Sequence, residues 1–424
     1  MIKGDSTYKN YIQILKEELI PAMGCTEPIA VAYCAAVARE HLGSVPDRAT
    51  VEVSGNIIKN VKSVVVPNTG RMRGIETAVA VGVLAGDASR ELEVISGISI
   101  SPDEIREYLN KNPITVKLAD SHYIFDIMVT LYKGTSYSKA RILNYHTNIA
   151  LIEKDGEILL YKEVEDDIKT DLTDRSILNV KDIVEFADIL DVDDIKEVIG
   201  RQIKYNYAIA EEGIKNDYGA NIGSSLLEKY GEDILTRAKA MAAAGSDARM
   251  SGCELPVVIN SGSGNQGLTA SVPVIVFAKG IGASDDKLYR ALAVSNLITI
   301  HQKTSIGRLS AFCGVISAGA GASCGIAYLL DGSYDVIKHT LVNALAIVSG
   351  IVCDGAKPSC AGKIAMAIDA GMLGYNMYKN NQQFIGGDGI VKGDVESTIR
   401  SVGRLGGKGM RETDKEILSI MISD

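Results

Sequence analysis

The sequence has no tryptophan, only five phenylalanines and five histidines, and nine prolines in 424 residues. It also has no basic run, since Asp and Glu outnumber Lys and Arg by 53 to 44 and leave a net charge of −9. Without a positive stripe to neutralise phosphates, nucleic acid is excluded as an expected partner. The first residues, Met1-Ile-Lys-Gly-Asp-Ser-Thr-Tyr-Lys9, lack the apolar stretch of a secretory signal. The seven cysteines are odd in number and widely scattered, so the expectation is a cytoplasmic chain with reduced thiols, not a disulfide framework. Two uncharged stretches, 309–330 and 255–278, are rich in Gly, Ala, Ser, Cys and amides. Such residues insert weakly beside Leu or Ile, and there is no aromatic belt, so no membrane span is expected.

What is present is a concentration of thiols. Residues 312–363 hold four of the seven cysteines, with the spacing Cys313-x39-Cys353-x6-Cys360. Cys353 follows an apolar run over 340–352 that reads as a buried helix, and Asp354-Gly355 offers its stop. Pro358 and Ser359 restart the chain, with Ser359 as N-cap and Cys360 at the first helical position, against exposed N–H groups and the positive end of the dipole. Cys313 lies on a neighbouring helix, so three thiolates can converge from two helices and a turn. Structural zinc takes tight C-x2-4-C pairs, and none occurs here. An iron–sulfur cluster is held by thiolates, usually four. With three, one iron stays open to substrate, as at a catalytic zinc. The plainer alternative is three small buried hydrophobes, because free Cys packs well in cores.

In chain order, 9–19 reads as an amphipathic helix. Met23-Gly-Cys-Thr-Glu-Pro-Ile29 then opens a second helix with Thr26 as N-cap, so Cys25 is another thiol just before a helix N-terminus, where a thiolate is favoured. Residues 50–66 alternate like strands, 74–86 form a short Ala/Val helix, and 114–163 are strand-like again. The polar, acidic segment 163–174 is the linker candidate. Beyond about 177 nearly everything is helical, and Gly403-Arg-Leu-Gly-Gly-Lys-Gly409 reads as a basic loop. The expected fold class is α+β: N-terminal helices over 1–45, an antiparallel-sheet α/β domain over 46–170, and a mostly α-helical catalytic domain over 175–424.

Ser261-Gly-Ser-Gly-Asn-Gln-Gly267 is the main polar loop, in which Ser261, Ser263, Asn265 and Gln266 are candidate substrate contacts. Its glycines let the backbone approach a ligand, and serial N–H groups can hold an anion. An ordinary turn uses the same residues. Ser-Gly-Asn-x-Gly also occurs in pyridoxal-phosphate enzymes, but the lysine context and tetraglycine loop those require are missing. His301 and Lys303 are candidate acid/base groups or a carboxylate clamp, although a surface helix end also favours them. Arg249 is a further clamp candidate, and Asp354 and Lys357 stand close enough in sequence to tune a cluster.

Gly24-Cys-Thr-Glu-Pro28, the 261–267 loop, and Cys313 with Cys353-Asp-Gly-Ala-Lys-Pro-Ser-Cys360 together resemble the L-cysteine desulfidases, relatives of the iron–sulfur L-serine dehydratase α chain. The likeness runs over the whole chain. The dehydratase pattern implies Cys313, Cys353 and Cys360 as cluster ligands, whereas the desulfidase pattern implies Cys25, Cys313 and Cys353. The assignment adopted is Cys313, Cys353 and Cys360 as ligands, with Cys25 as catalytic thiol or fourth ligand. The dehydratases close the cluster with a C-terminal cysteine, which is absent from Met421-Ile-Ser-Asp424. The implied activity is [4Fe–4S]-dependent β-elimination of a small amino acid, L-cysteine giving hydrogen sulfide, ammonia and pyruvate. Cys25 is the first candidate for the base and His301 the second. A serine deaminase, a pyridoxal-phosphate lyase and a non-enzymatic iron–sulfur protein remain as alternatives, and a homodimer is one open assembly state.

Overall fold

The computed structural model describes residues 1–164 and 172–423, so most of the linker candidate at 163–174 lies outside the described residues. Two layers of unequal size result: a sheet unit towards the N-terminus and a larger helical assembly.

The sheet has six strands. Arg48–Val53 pairs in parallel with Ile114–Leu118 on one side and antiparallel with Asp126–Lys133 on the other. Ser136–Leu143, Ile149–Lys154 and Glu157–Tyr161 then follow as an antiparallel meander. The expected antiparallel sheet is therefore mixed. The parallel pair arises because the intervening chain, 54–113, crosses over through helices, which a hairpin cannot do. Ala49, Val51 and Val53 alternate inward with Ile127, Val129, Leu131, Ala140 and Ile142. They are covered by Thr26–Leu42, against which Gly74–Ala85 packs in turn. Residues 55–61, expected to extend, form the helix Gly55–Val61 instead. With Ser54 at its N-cap, Ile57, Asn60 and Val61 are buried at the i, i+3 and i+4 spacing of one helix face, and Lys59 is buried beside them. That period of 3.6 outweighs the β-propensity of the valines around it.

In the helical assembly, Gly314–Leu330 is buried on every side from Val315 to Leu329. It packs against Gly264–Gly280, Asp285–Ile306, Tyr334–Val348 and Ser359–Lys379. Its small residues are there for close approach. A Cβ on Gly321 would stand 2.3 Å from Thr299 Oγ1 and one on Gly319 2.5 Å from Ala367 Cβ. Among the described residues no helix is long and apolar enough to cross a membrane. The expected basic loop over 403–409 is helical too, a π-turn at Leu405–Gly409 joining Val395–Arg404 to Arg411–Ile422.

A short ladder fastens the N-terminal segment to this assembly. Pro21–Met23 pairs antiparallel with Pro256–Val258, and Ile259 N–H donates to Ile20 O at 3.0 Å. Residues remote in sequence, Gly24-Cys25 and the 261–267 loop, are brought side by side.

Candidate active site

Four helix N-termini converge. Cys25 is the N-cap of Thr26–Leu42, Ser263 of Gly264–Gly280 and Cys313 of Gly314–Leu330, while Cys360 lies in the first turn of Ser359–Lys379. Each presents unpaired N–H groups and the positive end of a helix dipole. They enclose a cavity of about 70 Å³, room for several water-sized groups. Its walls include Cys25, Cys313, Cys353 and Cys360, together with Arg249, Lys303, Ser263, Asn265 and Gln266. Thus the structure brings together nine of the residues singled out in sequence.

Two other candidates, Ser261 and His301, lie elsewhere. Ser261 opens onto a neighbouring cleft of about 660 Å³ that also reaches Lys303 and Arg308. His301 does not line the cavity; its Nε2 is 2.7 Å from Glu396 Oε2. It stands two residues before Lys303 on the same helix, so the two side chains point in different directions. Cys360 occupies the second helical position, because the helix begins at Ser359 with Pro358 as its cap.

Buried amides hold the polar loop. Asn206 receives the Val258 N–H at 2.7 Å and donates to Val258 O at 3.0 Å, behaving as a one-residue strand partner. Asn260 donates to Asn296 Oδ1 at 2.9 Å, and Gln202 donates to the same oxygen at 3.0 Å. Gly267 permits the next helix to touch this segment, since a Cβ there would fall 2.0 Å from Val258 O. Arg249, 2 % exposed, ties the loop to the thiol segment. It donates from Nε to Gly24 O at 2.9 Å and from Nη1 to Asn265 Oδ1 at 3.0 Å.

The electrostatics divide the thiols. Cys313 donates its proton towards Cys353, so the Cys353 thiol is held below its ordinary range and that of Cys313 above it. Lys59 and Lys363 add to the effect at Cys353. Lys59 is buried against Asp414 and the Cys353 carbonyl, and Lys363 donates to Asp354 at 2.6 Å and to Val352 O at 3.0 Å. Asp354 also pairs with Lys357 at 3.0 Å. Burial raises Cys360. Cys25 departs from expectation: burial, and then the Glu27 carboxylate, push its thiol far up, and Arg249 only partly offsets them. Its Sγ donates to Glu27 Oε2 at 3.2 Å, so the nearby carboxylate and the dry setting outweigh the helix dipole that favours a thiolate. Burial pulls Lys303 down to about 8, against the pull of Cys353 and Cys313.

Glu27, His146, Arg308 and Asn60 also line the cavity and were not singled out in sequence. Arg308 bonds Glu18 at 3.0 Å and lies 4.6 Å over the Tyr145 ring. His146 comes from the turn between two sheet strands, and burial foremost, then the charges of Arg308 and Arg249, pull its imidazole down to about 3. The consequence for stability has a definite sign. Above pH 6.5 the ring is neutral folded and unfolded. As pH falls from 6.5 towards 3, only the unfolded chain gains the proton, so stability drops. His146 is expected to cost about 2 kcal/mol at pH 5 relative to pH 8. Equilibrium unfolding of the protein and of His146→Gln across this range should show the variant with the shallower slope; parallel slopes would contradict the buried neutral ring.

Among the described residues no three His, Cys, Asp or Glu side chains gather closely enough to hold a single metal ion. In a cluster each cysteine binds its own iron, so its thiolates stand further apart than around one ion. The donor set, three thiols facing one cavity beside Arg249 and Lys303, fits such a cluster in chemistry.

The fold and this thiol-lined cavity define a mostly helical protein with a six-stranded mixed sheet and a cysteine-rich centre. A family model described as serine dehydratase alpha chain matches residues 89–419. The chain is 61 % identical over 424 residues to a UPF0597 protein of Desulfitobacterium hafniense (strain Y51), covering all of this chain and 99 % of that one. It is 50 % identical over 417 residues to one from Lachnoclostridium phytofermentans, covering 98 % of this chain and 100 % of that one. With one from Treponema denticola the identity is 46 % over 426 residues, covering 99 % of each. The chain belongs to the serine dehydratase alpha chain family and, with these relatives, to the UPF0597 proteins. Members of the dehydratase family use iron–sulfur clusters. The family match begins at residue 89, so Cys25 and Glu27 lie outside it.

Proposed function

We propose that the protein is a lyase that eliminates the β-substituent of a small α-amino acid, with L-cysteine as first substrate and L-serine as second. The carrying observation is the convergence of Cys313, Cys353, Cys360 and Cys25 with Arg249 and Lys303 on one cavity. Cys313, Cys353 and Cys360 are the residues that would hold a [4Fe–4S] cluster. When bound, the cluster supplies a Lewis-acidic iron for the substrate carboxylate and leaving group. Arg249, Lys303 and Arg308 make the cavity cationic and orient a carboxylate; Gln266 Oε1, buried without a partner, accepts from an ammonium group. The dry walls strengthen each of these contacts.

Cys25 is held as a thiol by Glu27, the form that donates a proton. To serve as the base it must first pass that proton to Glu27, whose Oε2 it already faces at 3.2 Å. A pyridoxal-phosphate lyase is less well supported, because the lysine context and the tetraglycine loop that such enzymes require are missing from the sequence.

Anaerobic purification should yield about four irons per chain with equivalent acid-labile sulfide, and L-cysteine should give sulfide and pyruvate in equal amounts. Active protein free of iron would end the cluster reading. Cys25→Ser separates the two roles of that thiol. If it transfers protons, iron stays and turnover falls on the order of a hundredfold or more. If it is the fourth ligand, iron is lost on dilution and the reduced-state EPR signal changes.

A further inference from the structure

Cys313 and Cys360 stand at helix N-termini, whereas Cys353 lies in the connection between Tyr334–Val348 and Ser359–Lys379. Remote segments fix this connection. On one side it forms a short bridge, in which Cys353 N–H donates to Ala311 O at 2.6 Å and Cys313 N–H to Ile351 O at 3.1 Å. On the other it rests on the helix Gly55–Val61. Gly355 turns the chain there with φ of 97°. A Cβ on it would stand 2.4 Å from Lys59 O, so only glycine lets the two backbones lie this close.

Lys59 is 3 % exposed. Its Nζ donates to Cys353 O at 3.4 Å and to Asp414 of the helix Arg411–Ile422. An ammonium in so dry a place needs its carboxylate, and losing one partner of such a pair does more damage than losing both. The helix 411–422 is also pressed against 55–61 beyond this pair. A Cβ on Gly55 would fall 2.3 Å from Leu418 Cδ2, and Lys62 Nζ donates to Met421 O at 2.6 Å. The helix 55–61 is thus held between the Cys353 connection and the helix 411–422, and its Asn60 lines the cavity itself.

We propose that Lys59, anchored by Asp414, is a positioning residue that holds the Cys353 connection so that its thiol faces those of Cys313 and Cys360. The inference rests on the cluster reading above. Lys59 is no iron ligand, since an ammonium has no lone pair to give. It acts in two ways. Its bond to the Cys353 carbonyl, with its backbone beneath Gly355, fixes where the connection lies. Its charge, buried and weakly screened, favours negative charge on Cys353 and on a group bound there, and so favours the reduced form of a cluster. Asp414 fixes the ammonium and offsets part of its charge. The two halves of the pair therefore act on a cluster's potential with opposite signs, which packing alone would not do.

The test uses full-length, anaerobically prepared Lys59→Met, Asp414→Asn and the double variant Lys59→Met/Asp414→Leu. The readouts are melting, iron release to a ferrous chelator, the midpoint potential of the cluster and amide exchange over 351–355. The double variant exchanges both charges for apolar side chains and should melt near wild type. It should nevertheless release iron about tenfold faster or more. The potential should fall in Lys59→Met, where a cation is lost, and rise in Asp414→Asn, where the cation stands uncompensated. Wild-type iron release in the double variant, or potentials that stay unchanged or move together in the single variants, would overturn the assignment. If the single variants fail to fold, the double variant decides alone. Wild-type protein without iron would instead defeat the cluster reading, and exchange in the iron-free chain then judges Lys59. The Cys353 amide should exchange about tenfold faster in the double variant; an unchanged rate rejects the positioning role.

Discussion

Cys353→Ala is expected to lose all bound iron and all turnover, whereas Cys34→Ala and Cys324→Ala keep both near wild type. The three thiols differ in their surroundings. Cys353 is half-buried at the cavity, receives the Cys313 proton and sits within the fields of Lys59 and Lys363. It is the thiol most ready to bind metal as thiolate. Cys34 points its Sγ to Ala140 O at 3.3 Å inside the sheet unit. Cys324 points to Ile337 O at 3.7 Å between two helices. Both thiols are raised by burial and serve as small core side chains, so their replacement should cost only about 1 kcal/mol of stability. Iron analysis and sulfide release on the three variants, each with a melting curve, make the comparison. Equal losses at all three positions would mean that the cysteines act through folding, and the cluster assignment would fall.

Much of this site is legible along the chain because helix starts are written in local chemistry. Thr26-Glu-Pro28 and Pro358-Ser359 each mark an N-terminus, and the structure places Cys25 and Cys360 at or beside one; the stretch 261–267 reads as a loop, yet its helix already begins at Gly264 with Ser263 as cap. The sheet unit and the helical remainder follow from period-2 and period-3.6 patterning. What is not legible is long-range. Nothing local announces that Pro21–Met23 pairs with Pro256–Val258, yet this pairing carries Cys25 to the other thiols. Lys59 is hidden because 55–61 resembles a strand by composition, and its contact with Cys353 spans 294 residues. His146 sits in a turn that looks like any polar connection; only burial and its vacant Nε2 distinguish it. The depression expected for Cys25 also fails for a tertiary reason, since the dipole argument counts the helix and omits the dry pocket and Glu27.

Arg249→Leu is expected to lower stability on the order of 3–5 kcal/mol and turnover by at least about a thousandfold. The guanidinium donates to Gly24 O and to Asn265 Oδ1, two acceptors on segments that are also joined by Thr26 Oγ1 donating to Gly262 O at 3.0 Å. Each charge-assisted bond is worth roughly 1.5–3 kcal/mol, and removing the donor leaves Gly24 O buried and unmet and leaves Asn265 Oδ1 only the Ser246 hydroxyl at 3.2 Å. Gly24 precedes Cys25 and Asn265 precedes Gln266, so loss of the tie displaces the thiol and the amide together. A few tenths of an ångström at each is enough to spoil alignment with a bound amino acid. Arg249→Lys separates charge from geometry. It keeps the positive charge near a substrate carboxylate but cannot reach both acceptors with one rigid fork. It should therefore recover part of the stability and little of the turnover. Thermal melts with kcat and KM for the two variants provide the reading. Full activity in Arg249→Lys would show that charge alone suffices, and wild-type stability in Arg249→Leu would show that the two segments are held together by the short ladder without it.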